Sequence, residues 1–113
     1  MTTKVTDIDT LQKYLTGVIK RADHHAGQVD EITFALVGAI ILRKDSSPIE
    51  VMTHNSDMKN AFWVNISNKR YAFSYNHETY TIEMRENSIK GKVIHSFSND
   101  TSLSKLVNIF RNL

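Results

Sequence analysis

The chain has 113 residues, 41% of them hydrophobic and 23% charged, a balance that predicts one folded domain over 1–113 and argues against wholesale disorder. It contains no cysteine, which excludes disulfides, thiolate metal sites and cysteine nucleophiles, and fits a reducing cytoplasm. Its net charge is +2, and Lys and Arg are scattered among acids, without the concentrated basic patch of a typical nucleic-acid binder.

The opening MTTKVTDID has no apolar run after a basic start, so no signal peptide is expected. The longest apolar run, Phe34 to Leu42, is well short of the roughly 20 residues that cross a membrane. Leu11, Leu15, Val18, Ile19 and Ala22 share one helical face, with Tyr14 beside them, and predict a helix over about residues 9–26. Asp9 is its expected cap and Gly27 its expected stop.

The segment from Val29 to Lys44 fits two descriptions. Val29, Ile32, Leu36, Val37 and Ile40 have helical spacing, and Asp30 is placed to cap a helix. Read as a strand, both faces are apolar, which would require burial on both sides. The expectation is a helix over 29–39 passing into a strand at 40–44, with one long strand as the alternative.

Beyond Asp45-Ser46-Ser47-Pro48, a turn sequence, the period becomes two. Strands are expected over 49–54, 61–66 and 70–75, with Asn55 to Asn60 as a polar connection. Ser67-Asn68-Lys69 and Asn76-His77-Glu78 read as turns. Tyr80, Ile82 and Met84 then alternate with polar residues, and a last strand covers about 91–97. The result is an antiparallel meander of four or five strands with one face covered by helices. A final helix carries Leu103, Leu106, Val107 and Phe110 as its apolar stripe, with Asn99 or Asp100 as cap. The fold class is α+β: two N-terminal helical segments, the meander and a C-terminal helix packed on one face.

Candidate chemistry is sparse. Five histidines occur without HExxH or a comparable ligand spacing. His24 and His25 are neighbours, which diverge on a helix, and His25 falls on the apolar seam. His54 and His77 sit at strand ends or loops, and His95 lies on a strand beside Val93 and Phe97. Asp30 and Glu31 also diverge, and Glu50, Glu78, Glu83 and Glu86 read as solvent-side charges. Nucleotide-binding glycine loops and the GxSxG elbow are absent. The residues therefore name no catalytic group, metal site or cofactor.

Trp63 has the parity opposite to Phe62, Val64 and Ile66, which puts a large aromatic on the outer sheet face and suggests an interface or ligand wall. Tyr71, Phe73 and Tyr75, near Lys69 and Arg70, have the makings of a single-strand stacking platform, although a core role fits Tyr71 and Phe73 better.

The stretch HHAGQVDEITFALVGAIILRKD, together with KRYAFSYNHETYTIEMR and SLSKLVNIF, resembles the small orphan proteins encoded by integron gene cassettes. That resemblance implies a compact bacterial α+β protein, a symmetric homo-oligomer, with an unassigned adaptive role and no transferable functional residue. The combined expectation is a non-catalytic cytoplasmic homodimer binding a small molecule or a partner protein. Its candidate contacts are Phe62, Trp63, Tyr75 and Tyr80, with His25, His77, His95 and Arg70 as further candidate ligand residues. Single-stranded nucleic-acid binding and a histidine-dependent hydrolase are the alternatives.

Overall fold

A computed structural model describes residues 7–9, 11–13, 16–17, 29–54 and 57–113. Residues 7–9, 11–13 and 16–17 are helical. Helix α1 spans Asp30–Arg43, followed by β1 (Glu50–His54), β2 (Asp57–Ile66), β3 (Lys69–Asn76), β4 (Thr81–Glu86), β5 (Val93–Phe97) and helix α2 (Leu103–Arg111). The strands form one antiparallel sheet in the order β1-β2-β3-β4-β5, the meander expected from the alternation.

Pairing across the sheet sorts the side chains by face. Phe62 lies opposite Phe73, which lies opposite Met84, and Tyr75 opposite Ile82, which lies opposite Phe97. These residues face the helices and are at most 3% exposed. Val29, at the N-cap of α1, and Ile32, Leu36 and Ile40 within it share one core with them and with Leu106 and Phe110 of α2, and Leu11 joins the same core. The Phe62 and Phe73 rings stack at 5.1 Å, and Phe110 meets Phe97 at 6.3 Å. Full burial of each such side chain is worth about 1.5–3 kcal/mol, so this layer is the main source of stability.

Ser67 and Asn68 both take positive φ, 52° and 66°. Two such residues between Ile66 and Lys69 make the tight hairpin that matches strand twist.

The expected strand at 40–44 is not formed. The helix continues to Arg43, because Ile40 completes the buried row of Val29, Ile32 and Leu36 and only helical geometry keeps that row on the sheet. The polar connection at 55–60 also shortens, since β2 begins at Asp57 and the hairpin is longer than its apolar part. Tyr80 belongs to the β3–β4 turn, with φ 56°, rather than to a strand with Ile82 and Met84. Strand β5 starts at Val93. Gly91 lies in the preceding turn, where a Cβ would come within 2.9 Å of the Glu86 carbonyl oxygen.

Three caps differ from the local reading. Asp9 lies within helix already begun at Asp7, and Gly27 and the remainder of the segment to 26 lie outside the described residues. The C-terminal helix is capped by Ser102, whose Oγ accepts from the Lys105 N–H at 3.1 Å, and not by Asn99 or Asp100. Asp30 is the first residue of α1 and not its cap. Asn99, from the loop after β5, serves α1 instead. Its Oδ1 accepts from the Ile32 N–H at 3.0 Å, and its Nδ2 donates to Asp30 Oδ1 at 2.7 Å. Asp30 Oδ1 also accepts from the Glu31 N–H. The hydrogen bonds from Asn99 and from the Glu31 N–H hold the Asp30 carboxyl below its ordinary value.

At the other end of α1, Lys44 Nζ and Asp7 Oδ2 lie 2.7 Å apart, and the same Asp7 accepts from the Ile49 N–H. Burial works to raise the Asp7 carboxyl, but the hydrogen bonds from Lys44 and Ile49 and the Lys44 charge together hold it below its ordinary value.

Replacing Asn99 by Ala removes a cap that joins two distant parts of the chain. The expected loss is about 0.5–2 kcal/mol in urea unfolding, the range of cap deletions. A loss no larger than that of an ordinary exposed-loop substitution would contradict this role.

Candidate functional site

Helices α1 and α2 run side by side with their N-terminal ends together and their C-terminal ends together. Glu31 and Phe34 border a hollow with Asn99, Thr101 and Leu103 at one end, while Leu42 and Arg43 approach Phe110 and Arg111 at the other. Between them lies a trough of about 420 Å³. Ala35, Gly38, Ala39 and Leu42 form its α1 wall, and Leu103, Leu106, Val107 and Phe110 its α2 wall.

The trough exists because small residues occupy the α1 wall. Gly38 is exposed in mid-helix, and a Cβ built there meets nothing within 4 Å. No clash forces glycine at that position, although it costs about 0.8–1 kcal/mol relative to alanine in a helix interior. The rim is apolar as well. Leu42, 83% exposed, Leu103, 65% exposed, and Val107 line it, while Phe34, 63% exposed, borders the adjoining hollow and Ile41 is exposed elsewhere on α1. Two of the four residues expected as the core stripe of α2, Leu103 and Val107, thus stand on the surface, while Leu106 and Phe110 are buried.

Cations mark the C-terminal end of the trough. Arg43 Nη2 donates to Ser67 Oγ and to the Leu113 carbonyl oxygen, at 3.1 and 2.7 Å, which pins the guanidinium at the base of the wall. Arg111 is exposed.

The residues singled out in the sequence are dispersed. Phe62 and Tyr75 lie in the core, 1% and 3% exposed, so neither is a surface contact in this chain. Trp63 does face outward, opposite Ala72, and is half-buried. The Arg70 guanidinium lies over its ring, 5.1 Å from the centroid, and pairs with Glu50 at 3.5 Å. Trp63 Nε1 is buried with no hydrogen-bond partner among the described residues. Ala72, in register between Trp63 and Arg85, is only 1% exposed.

Further along the same face, Arg85 donates to Glu83 at 2.8 Å, to Ser74 at 3.2 Å and to the Gly91 carbonyl at 2.9 Å. This face carries a hydrogen-bonded network around Arg85 beside one half-buried tryptophan whose Nε1 has no partner among the described residues. Lys69 stands 3.6 Å from Glu86, so both cations expected to flank a nucleic-acid platform have a carboxylate beside them.

Of the histidines, His25 lies outside the described residues. His77 is exposed in the β3–β4 turn, its ring edge-on to Tyr75 at 4.9 Å. His95 is half-buried on β5 opposite Met84, 6.3 Å from the Phe97 ring. Among the described residues, no three His, Asp or Glu side chains gather as metal ligands. Among them, too, no helix is long and apolar enough to cross a membrane.

The sequence-level signal for the trough was present but spread over two segments: a weak helix former, Gly38, in a helical pattern, and two surplus apolar residues, Leu103 and Val107.

Two measurements check this description. Replacing Gly38 by Ala is expected to raise the stability of the single chain, measured in dilute protein, by about 0.5–1 kcal/mol, because there the added methyl meets open space. Destabilisation would mean the position is tighter than described. Burial, and then the Lys105 charge, push the His95 pKa below 6.5. A lowered histidine pKa means the unfolded chain binds the proton first. The contribution is therefore complete above pH 6.5 and is lost as the pH falls. A His95→Gln variant is expected to lose less stability than the parent between about pH 7 and 5; parallel curves would show that His95 makes no such contribution.

A family model described as "Integron cassette protein VCH_CASS1 chain" matches residues 11–107. No curated protein matches significantly. The match spans α1, all five strands and most of α2, and it agrees with the resemblance drawn from the three sequence phrases. The chain belongs to this integron cassette protein family.

Proposed function

We propose that the protein is a non-catalytic binding module whose working surface is the apolar trough between α1 and α2. The observation that carries this reading is the combination, in one place, of a hollow of about 420 Å³ and a rim of exposed large apolar side chains. Sites that take apolar groups are concave and lined mostly by hydrophobic residues, with a few polar groups at an edge. Scattered single apolar residues need no explanation, whereas a contiguous patch of them marks an interaction surface.

The absence of a catalytic function from this reading rests on what the trough contains. Its walls supply methyl, methylene and phenyl groups, and its charged lining groups are the two arginines at one end. General acid–base catalysis needs a titratable group tuned near the working pH and within reach of the substrate. Arginine remains charged throughout that range.

The hydrophobic dye 1-anilinonaphthalene-8-sulfonate tests the reading, because its apolar rings suit the walls and its sulfonate suits the arginine end. Dilute folded protein is expected to bind it saturably. Gly38→Trp, which fills the trough from its open wall, is expected to abolish binding, and Ser96→Trp on exposed β5 to leave it unchanged. Equal dye binding by Gly38→Trp and the parent would contradict the proposal.

A further inference from the structure

We infer that the occupant of this surface is a second copy of the same chain, packed about a two-fold axis near Gly38 with the two α1 helices antiparallel. The inference rests on the trough being the working surface and adds the identity of its partner.

Helix α1 is apolar nearly all round. Its Val29, Ile32, Leu36 and Ile40 row is buried on the sheet, yet Phe34, Ile41 and Leu42 on the other side are exposed. A helix with apolar residues on every side belongs in an interior. Together with Leu103 and Val107, the exposed apolar side chains present roughly 500–600 Å² of surface, at the upper limit for a monomer and most of the ~800 Å² that each partner brings to a standard interface.

Charge selects a second copy, inverted. Because α1 and α2 run parallel, both N-terminal ends and the exposed Glu31 lie at one end of the patch, and Arg43 and the exposed Arg111 lie at the other. The aligned helix dipoles add partial positive charge at the Glu31 end and partial negative charge at the arginine end. A copy turned by two-fold symmetry reverses both, bringing Glu31 of each chain toward Arg111 of the other and setting the dipoles antiparallel. A two-fold contact must be self-complementary, and this patch meets that condition about its midpoint. Phe34 and Leu42 are equally spaced on either side of Gly38, so each Phe34 meets the opposite Leu42. Gly38 at the axis, with open space above it, lets the helix axes approach more closely than two side chains would allow.

The absence of cysteine from the chain permits a clean test. In Gly38→Cys the two thiols sit across the axis, within the Cα separation of up to about 7 Å that a disulfide spans. Mild oxidation is expected to give a disulfide-linked dimer rapidly, while Ser96→Cys on the outer sheet face stays without a cross-link. Light scattering of the parent is expected to give twice the chain mass, and Leu42→Asp to weaken association by about 100-fold or more while retaining the circular dichroism of the fold. Glu31→Arg and Arg111→Glu are each expected to weaken association, and their combination to restore it.

A parent that stays monomeric at high micromolar concentration overturns the inference, as does a dimer in which Gly38→Cys fails to cross-link. A monomer that still binds the dye in a Gly38-dependent way leaves the binding-module reading standing with another occupant. A monomer whose dye binding ignores Gly38→Trp removes both.

Discussion

Helix α1 carries apolar side chains on both of its long faces, and the sheet covers one of them. Val29, Ile32, Leu36 and Ile40 fill the hollow above Phe62, Phe73 and Met84, and their burial fixes the helix on the meander. The ends of the helix are held by residues far away in the chain. Asn99 caps its first turn, Arg43 reaches Ser67 and Leu113 at its last residue, and Lys44 just beyond meets Asp7. With its buried face and both ends constrained, α1 has no freedom to turn Phe34, Ile41 and Leu42 inward. The apolar outer surface is thus a consequence of how the core is built, and so is the trough that forms where α2 lies alongside.

Much of the sheet was legible because its faces differ. Alternation of Phe62, Val64 and Ile66, or of Tyr71, Phe73 and Tyr75, with small or polar residues gives a period of two that survives without tertiary information. Ser67-Asn68 was recognisable as a turn for the same local reason. The segment from Val29 to Arg43 failed where alternation could not help. Apolar residues on both faces leave no contrast for a period to act on, so the end of the helix was assigned to a strand. The caps failed for a different reason. Asn99 sits 67 residues from Ile32, and no local pattern connects them.

The candidate site was less legible than the fold. Parity correctly sent Trp63 to the outer face, and from that a surface role was inferred. Parity carries no information about what lies over a ring, and here Arg70 does. The trough instead arises between two helices separated by the whole sheet, from residues that look ordinary in sequence. Gly38 reads as a weak helix former, and Leu103 and Val107 read as core. Only their common placement, exposed on adjacent parallel helices, gives them a shared meaning. The family assignment covers α1 and the first part of α2 within residues 11–107 and stops short of Phe110 and Arg111, and it adds no chemistry, so the functional account rests on physical form.

The central claim is that the outer face of α1 is covered in the working protein. Relaxation of methyl NMR signals by a soluble gadolinium chelate reads that cover directly. In the single chain Leu42 is 83% exposed and Ile8 only 49%, so an uncovered face requires the Leu42 methyls to be relaxed more strongly than those of Ile8. The account predicts the reverse order in concentrated protein, with Leu42, Ile41 and Leu103 protected relative to Ile8. Relaxation that follows the single-chain exposures at every concentration would contradict it.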